Sequence, residues 1–268
     1  IKNIILVINK MDLVKYDKAV FNTIKSNYHD KVRTFNFNEI VSIPISALEG
    51  LNIIKKSNKM DWFKGKPLLK VLENIEVKNF KKNKNSIFQV QRVGIDKNNQ
   101  RFYSGIMRDG NLKKNQKITI HPSGEENVIK RMLLYKKTLL ETNPGESISI
   151  FLKKEVDISR GYLISDLYTR VGLSDQFQSR LIWLSKNEGY TGRLYYLKMG
   201  GFTVDVQITK IKNIVNVYNS SYVRSSKLVL NDVGIVEISI NKKIPFQSYD
   251  VNRSLGSFII IDRITYET

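Results

Sequence analysis

The sequence predicts an α/β domain built on a parallel sheet, followed by two all-β domains. Three observations carry that prediction. A continuous apolar run, Ile4–Ile8, is followed by Leu13, Tyr16, Val20 and Ile24 at helical spacing, then by a second strand candidate, Glu39–Ile45. After residue 84 the helical spacing stops, and short strands follow one another between turn residues. Toward the C-terminus, Val204, Val206 and Ile208 alternate with Asp205, Gln207 and Thr209, and Val236, Ile238 and Ile240 alternate with Glu237, Ser239 and Asn241. Strict alternation places one face of a strand in a core and the other in water.

Each element has its own reason. An unbroken apolar strand such as Ile4–Ile8 suits burial on both faces. Leu68, Val71, Leu72 and Ile75 form a second helical stripe, with Pro67 near its start. Strand–helix–strand–helix implies a parallel sheet with helical crossovers. Ile87–Val93 opens the β region, and Asp96–Gln100, Arg108–Asn111, Pro122–Gly124 and Asn143–Gly145 read as turns. Regular short strands without helices suggest barrels or sandwiches. The expected division is 1–82, 83–167 and 168–268, with the basic stretch Lys78–Lys84 as a linker. The two β parts share no visible sequence repeat.

Composition excludes several classes. Hydrophobic residues make up 41% of the 268, which argues against general disorder. No apolar run approaches the length of a membrane span, and Ile4–Ile8 lacks the flanks of a signal peptide. Cysteine is absent, so disulfide and thiolate chemistry are excluded. His29 and His121 lie far apart without paired ligands, so a zinc site is not expected. A cytoplasmic protein is the expectation. The formal net charge of +19 admits a nucleic-acid surface, but no aromatic-plus-basic motif accompanies it. A lysine-rich background spread over solvated faces is the simpler account, and nucleic acid is not expected as a partner.

The chemistry is concentrated at two strand ends. Asn9-Lys10-Met11-Asp12 follows the first strand directly, where ligands of open α/β sheets bind. A carboxylate at Asp12 accepts two hydrogen bonds from guanine, one from N1–H and one from the exocyclic amine. Adenine offers no such pair, and a site built for paired bonds rejects the wrong base strongly. Asn9 can bond the other base edge and brace the loop, and the alkyl stem of Lys10 can lie across the ring. Ser46-Ala47-Leu48 follows the second strand. Ser46 can brace the Asp12 loop, and the small Ala47 lets its N–H approach guanine O6. Two such motifs in order, each after a strand, are more specific than either alone.

In its motifs and in longer segments, the chain resembles the large, GTP-binding subunit of bacterial sulfate adenylyltransferase, a translation-factor-like GTPase family. NKMDLVKYD, PISALEGLNI and KMDWFKGKPLLKVLENI resemble its first domain. FQVQRV, YSGIMRDG, HPSGEENVIKRM and DISRGYLIS resemble the second. FQSRLIWLS, GRLYYLKMGG, LVLNDVGIVEISI and NRSLGSFIIIDRIT resemble the third. The resemblance implies part of a P-loop GTPase domain and two elongation-factor-like barrels. It implies GTP and magnesium as cofactors, with the magnesium ligands expected in a segment preceding Ile1. It also implies a small catalytic partner subunit that binds ATP and sulfate and forms adenylyl sulfate and pyrophosphate. GTP hydrolysis by the large subunit drives that transfer. The site residues carried over are Asn9, Lys10, Asp12, Ser46, Ala47 and Leu48, all base-reading and none catalytic.

Some positions depart from the family pattern. Phe102 stands where glycine is usual, Thr191 where proline is common, and the turn Asp96–Gln100 lacks proline. No G-x-x-x-x-G-K-[ST] loop or usable Asp-x-x-Gly segment occurs, and Asp109-Gly110 is an isolated turn pair. The chain as given is therefore expected not to hydrolyse GTP. Trp62 and Phe63 are expected to pack locally rather than dock a partner, and Arg160-Gly161 is expected to be a turn or bulge. An elongation-type GTPase delivering an RNA ligand is the alternative reading, and a β-domain binding module is a third.

Overall fold

The structure, a computed structural model, describes residues 3–33, 37, 39–75, 85–216 and 221–268. The chain divides into two compact units, Ile1–Asn79 and Phe80–Thr268. The predicted linker Lys78–Lys84 and the predicted boundary at 82/83 lie outside the described residues.

In the first unit β1 (Asn3–Ile8) pairs in parallel with β2 (Glu39–Pro44), from Asn3 opposite Glu39 to Ile8 opposite Pro44. A parallel pair needs a crossover, and α1 (Lys18–Val32) supplies it. The helix begins later than the apolar spacing predicts. Lys15 and Tyr16 adopt left-handed backbone conformations (φ 51° and 61°), which no α-helix continues through. Asp17 then caps α1, its carboxylate accepting from Ala19 N–H at 2.6 Å. Leu13 sits instead in a short 3₁₀ turn, Met11–Val14, and is 74% exposed. The second stripe is also shorter than predicted: α2 spans Leu68–Glu73 with Pro67 at its N-cap, and Ile75 lies beyond it. β1 is not buried on both faces among the described residues: Val7 is 36% exposed, and β2 is its one strand partner there. Ile8 alone of its residues is fully buried. The core of this unit gathers Ile8, Met11, Phe21 and Met60, with Trp62 and Phe63 packed against them and the Phe21 and Trp62 rings 5.2 Å apart. Both aromatic residues of the DWF segment are thus spent on local packing.

Among the described residues, the second unit holds two large sheets and one two-stranded pair. The first comprises β3 (Ile87–Ile95), β4 (Arg101–Asp109), β5 (Lys117–His121), β6 (Glu125–Leu134), β7 (Lys137–Leu139), β8 (Ser147–Leu152) and β9 (Leu163–Asp166). Their order is β5-β9-β3-β4-β8-β6-β7, and β5 also pairs with β6. That extra pairing closes six strands into a barrel, which removes the unpaired edges. Phe88, Val90, Tyr103, Ile120, Ile129 and Ile150 fill its centre.

Two of the departures from the family pattern have local explanations. Phe102 lies opposite Gly94 across β3–β4, and its ring packs at a tilt 5.9 Å from that of Phe151. A Cβ on Gly94 would meet the Phe102 ring at 2.6 Å, so the bare glycine makes room for the added ring. The Asp96–Gln100 turn is held without proline. The Asp96 carboxylate accepts from Asn98 and Gln100 N–H, both at 2.9 Å, and from Arg131 at 3.3 Å.

Asp166 closes the barrel at its entry and exit. It is 6% exposed and accepts from Ser86 N–H (2.7 Å), Thr169 Oγ1 (2.8 Å), Tyr168 N–H (2.8 Å) and Thr169 N–H (2.9 Å). Burial alone would raise its pKa. The Thr169 hydroxyl and the three backbone N–H groups outweigh burial, and the net direction is downward. Asp166→Ala is expected to cost about 3 kcal/mol in urea unfolding at neutral pH, since four bonds to a buried charge are lost. A depressed folded-state pKa gives stability that is present above the ordinary aspartate range and lost as pH falls through the lowered value. The gap between wild type and variant should therefore narrow in acid.

The second sheet comprises β10 (Gly172–Ile182), β12 (Leu194–Met199), β13 (Phe202–Val215), β14 (Tyr222–Val223), β16 (Val233–Phe246) and β17 (Ile259–Asp262), while β11 (Gly189–Tyr190) pairs only with β15 (Lys227–Leu228). The main order is β10-β16-β13-β12-β17, which leaves β10 and β17 as edges lining one cavity of about 890 Å³. The predicted alternation holds here: Val204, Val206, Ile208, Val236, Ile238 and Ile240 are all buried.

The two sheets of this unit touch through small residues. Gly161 (φ 95°) and Gly201 meet backbone to backbone, where a Cβ on Gly201 would lie 2.6 Å from Gly161, and Tyr162 stacks on Phe202 at 6.3 Å. Arg160-Gly161 is accordingly a turn made for close approach.

Candidate functional site

The two predicted motifs meet at the C-terminal ends of β1 and β2. Main-chain bonds first bring the strand ends together: Ile45 N–H donates to Ile8 O (2.8 Å) and Met11 N–H to Ile45 O (3.2 Å). Lys10 then adopts a left-handed conformation (φ 62°), and Met11 is buried beneath the 3₁₀ turn. A non-glycine residue in that region is strained and persists only where its surroundings hold it.

Side chains supply the hold. The Ser46 hydroxyl, fully buried, donates to Asp12 Oδ1 at 2.6 Å. Asn9 Oδ1 accepts from Lys10 N–H (2.7 Å) and from Ala47 N–H (3.0 Å). Because both of its partners are N–H donors, the Asn9 amide orientation is settled, and its NH₂ group is the part left for other acceptors. The Ala47 N–H, expected to serve guanine O6, is given to Asn9 in this structure. Leu48 is 88% exposed and Asn9, Lys10 and Ala47 are exposed, whereas Asp12 is half-buried. All six predicted residues therefore lie on two neighbouring loops. Asp12, Asn9, Ser46 and Ala47 are bonded across them, while Lys10 and Leu48 make no side-chain bond among the described residues.

Three further residues join this site that the motif reading missed. Glu49 Oε2 accepts from the Tyr16 hydroxyl (2.7 Å) and from Lys59 Nζ (2.9 Å), and Lys59 also donates to Tyr16 Oη (3.3 Å). The bond from Lys59, then that from Tyr16, lowers the Glu49 pKa. The bonds to Glu49 raise those of Tyr16 and Lys59. Asn52, buried with φ 58°, anchors the intervening loop by donating to Pro44 O (3.0 Å) and accepting from Ser57 N–H (2.8 Å). The sequence offered one signal for Glu49, its place directly after Ser-Ala-Leu. Lys59 and Tyr16 are brought in only by folding.

The charge excess is shared by all three sequence segments. Lys+Arg outnumber Asp+Glu by 16 to 8 in residues 1–82, 15 to 9 in 83–167 and 13 to 8 in 168–268. No helix among the described residues is long and apolar enough to cross a membrane.

Comparison with known proteins bears on the same features. Residues 176–268 match the GTP-eEF1A C-terminal domain-like family. The structure of Sup35 complexed with GDP superposes with a TM-score of 0.64, covering 99% of this chain and 68% of that one at 17% identity. The GTP-bound Ski7 GTPase-like domain of S. cerevisiae gives 0.56, covering 99% and 63% at 17% identity. At such identity the likeness concerns the fold. Sulfate adenylyltransferase subunit 1 of Saccharophagus degradans is 32% identical over 265 residues, 99% of this chain and 56% of its own length. That of Colwellia psychrerythraea is 32% identical over 268 residues, 100% and 58%. The bifunctional enzyme NodQ of a Rhizobium species is 32% identical over 268 residues, 100% of this chain and 42% of its own. The chain thus spans less than two thirds of the length of these relatives.

The parallel strand pair with its two cross-bonded loops, the closed barrel and the second large sheet share the fold of the Sup35 structure and of the Ski7 GTPase-like domain. Over its whole length the chain is similar to proteins named sulfate adenylyltransferase subunit 1.

Proposed function

We propose that the first unit recognises guanine and that the chain serves as the guanine-nucleotide-binding subunit of a sulfate adenylyltransferase. The observation that carries the reading is the Ser46–Asp12 bond, which fixes the carboxylate at a strand end and commits only one of its oxygens. A fixed, half-buried carboxylate suits the paired N1–H and amine donors of guanine. The NH₂ of Asn9, unbonded among the described residues, suits the acceptors O6 and N7 on the other edge. Asn9, Lys10, Asp12, Ser46, Ala47 and Leu48 remain the base-reading set, with Asn9 and Ala47 bracing one another and Lys10 placed to cover the ring with its stem. Bound GTP would bring a phosphate chain and magnesium. This chain's own residues hold the base and exclude adenine. The likeness to proteins named sulfate adenylyltransferase subunit 1 supports a small catalytic subunit as partner and coupling of GTP hydrolysis to adenylyl transfer. The proposed organisation remains three-part, at 1–82, 83–167 and 168–268.

The test is base selectivity. In an NMR titration, GMP is expected to shift the amide signals of Asp12 and Ala47, and AMP at equal concentration is expected to leave them in place. Equal response to both nucleotides would sink the reading.

A further inference from the structure

The Tyr16–Glu49–Lys59 cluster has no part in the contacts assigned to the base, yet it joins the loops that make them. Tyr16 ends the loop that begins at Asp12, and its N–H donates back to Met11 O at 2.8 Å. Glu49 lies in the loop that begins at Ser46, and its N–H donates to the Ser46 hydroxyl at 3.4 Å. Their side-chain bond is thus a second crosslink between the same two loops, beside the Ser46–Asp12 bond. Lys59 secures it from a third segment, donating to both partners and lying 5.2 Å from the centre of the Tyr16 ring. Trp62 Nε1 donates to the Tyr16 carbonyl at 3.0 Å, which fixes the tyrosine backbone to the core.

Two physical conditions make such a clamp necessary. Lys10, Lys15 and Tyr16 all have positive φ, so the Asp12 loop rests away from its backbone minima and needs outside restraint. Glu49 also lies near enough to Asp12 for the two carboxylates to repel, which raises the Glu49 pKa against the larger opposing pull of Lys59. Without Lys59, that repulsion would act directly on the carboxylate that faces the base.

We propose that Tyr16, Glu49 and Lys59 are positioning residues that set the tilt of the Asp12 carboxylate and thereby its discrimination for the 2-amino group of guanine. This rests on the guanine reading above. One bond to N1–H tolerates a tilted carboxylate; a second bond to the neighbouring amine does not, because bidentate geometry is directional. The clamp therefore acts on the difference between guanine and hypoxanthine, which lacks the amine.

The experiment is NMR titration of the whole chain with GMP and with IMP. Wild type is expected to prefer GMP by about tenfold, the worth of one charge-assisted bond. Tyr16→Phe and Glu49→Ala are each expected to lower GMP affinity about fivefold while changing IMP affinity less than about twofold, with little change in melting temperature for so exposed a cluster. The charge exchange Glu49→Lys with Lys59→Glu is expected to restore the GMP preference, which guards against a variant that merely misfolds. Equal losses for GMP and IMP, or an unchanged ratio in a chain that still prefers GMP to AMP, would overturn the clamp and leave base recognition standing. A wild-type chain indifferent between GMP and AMP would overturn both.

Discussion

Asp12→Ala is expected to abolish the preference of this chain for guanine over adenine nucleotides. The substitution removes both acceptors proposed for the N1–H and the exocyclic amine. Each charge-assisted bond is worth about 1.5–3 kcal/mol when its partner is otherwise left unpaired. Together they correspond to a loss of about 10²- to 10⁴-fold in base preference. The Ser46 hydroxyl would lose its 2.6 Å acceptor as well, leaving a fully buried donor with only the long Glu49 N–H contact. A modest stability loss in the first unit is therefore expected beside the binding loss, while the Phe80–Thr268 unit should keep its β-sheet circular dichroism. Parallel GMP and AMP titrations separate the effects. A variant that still favours GMP would show that the base is read elsewhere.

Gly105→Ala is expected to be the most damaging small substitution in the second unit. Gly105 lies opposite Val90, beside the irregularity between Val90 and Arg92 where β3 bends. An added Cβ would fall 1.9 Å from the Gln89 carbonyl oxygen and 2.9 Å from the ring of Phe88, which is fully buried. Neither can move without breaking the β3–β4 ladder or opening the barrel core. The expected cost is more than about 3 kcal/mol, in the range reserved for overpacking and strain. Gly124 provides the control, since it has φ 75° but no atom within 4 Å of the point where a Cβ would stand. Its alanine variant should cost only about 1 kcal/mol, the penalty of a left-handed backbone. Urea unfolding of both variants measures the difference. Equal costs would mean that the strands are not packed so closely at Gly105.

These predictions draw on different layers of what the chain encodes. The strand-end motifs were legible because strand, turn and motif are contiguous, as in Ile4–Asp12 and Val41–Leu48. The alternation at Val204–Thr209 and Val236–Asn241 was legible for the same reason: period two is a local property, and burial followed it. The start of α1 was not legible, because the apolar spacing of Leu13, Tyr16 and Val20 runs through two residues whose backbones turn left-handed. Nothing in the identities of Lys15 and Tyr16 announces that, since both are ordinary helix residues. Barrel closure through β5–β6 was hidden because it depends on which edges meet in space. The Asn9–Ala47 bond and the Tyr16–Glu49–Lys59 cluster were hidden likewise, joining residues 33 to 43 positions apart except for Glu49 and Lys59, which are 10 apart.

A crystal structure of the chain with GMP tests the proposal that Asp12, fixed by Ser46 at the end of β1, reads the guanine base. N1 and the exocyclic amine of the base are expected within hydrogen-bonding distance of the Asp12 carboxylate, with the Ser46 bond intact. A base bound with its Watson–Crick edge away from Asp12, or bound in the second unit, would contradict the claim.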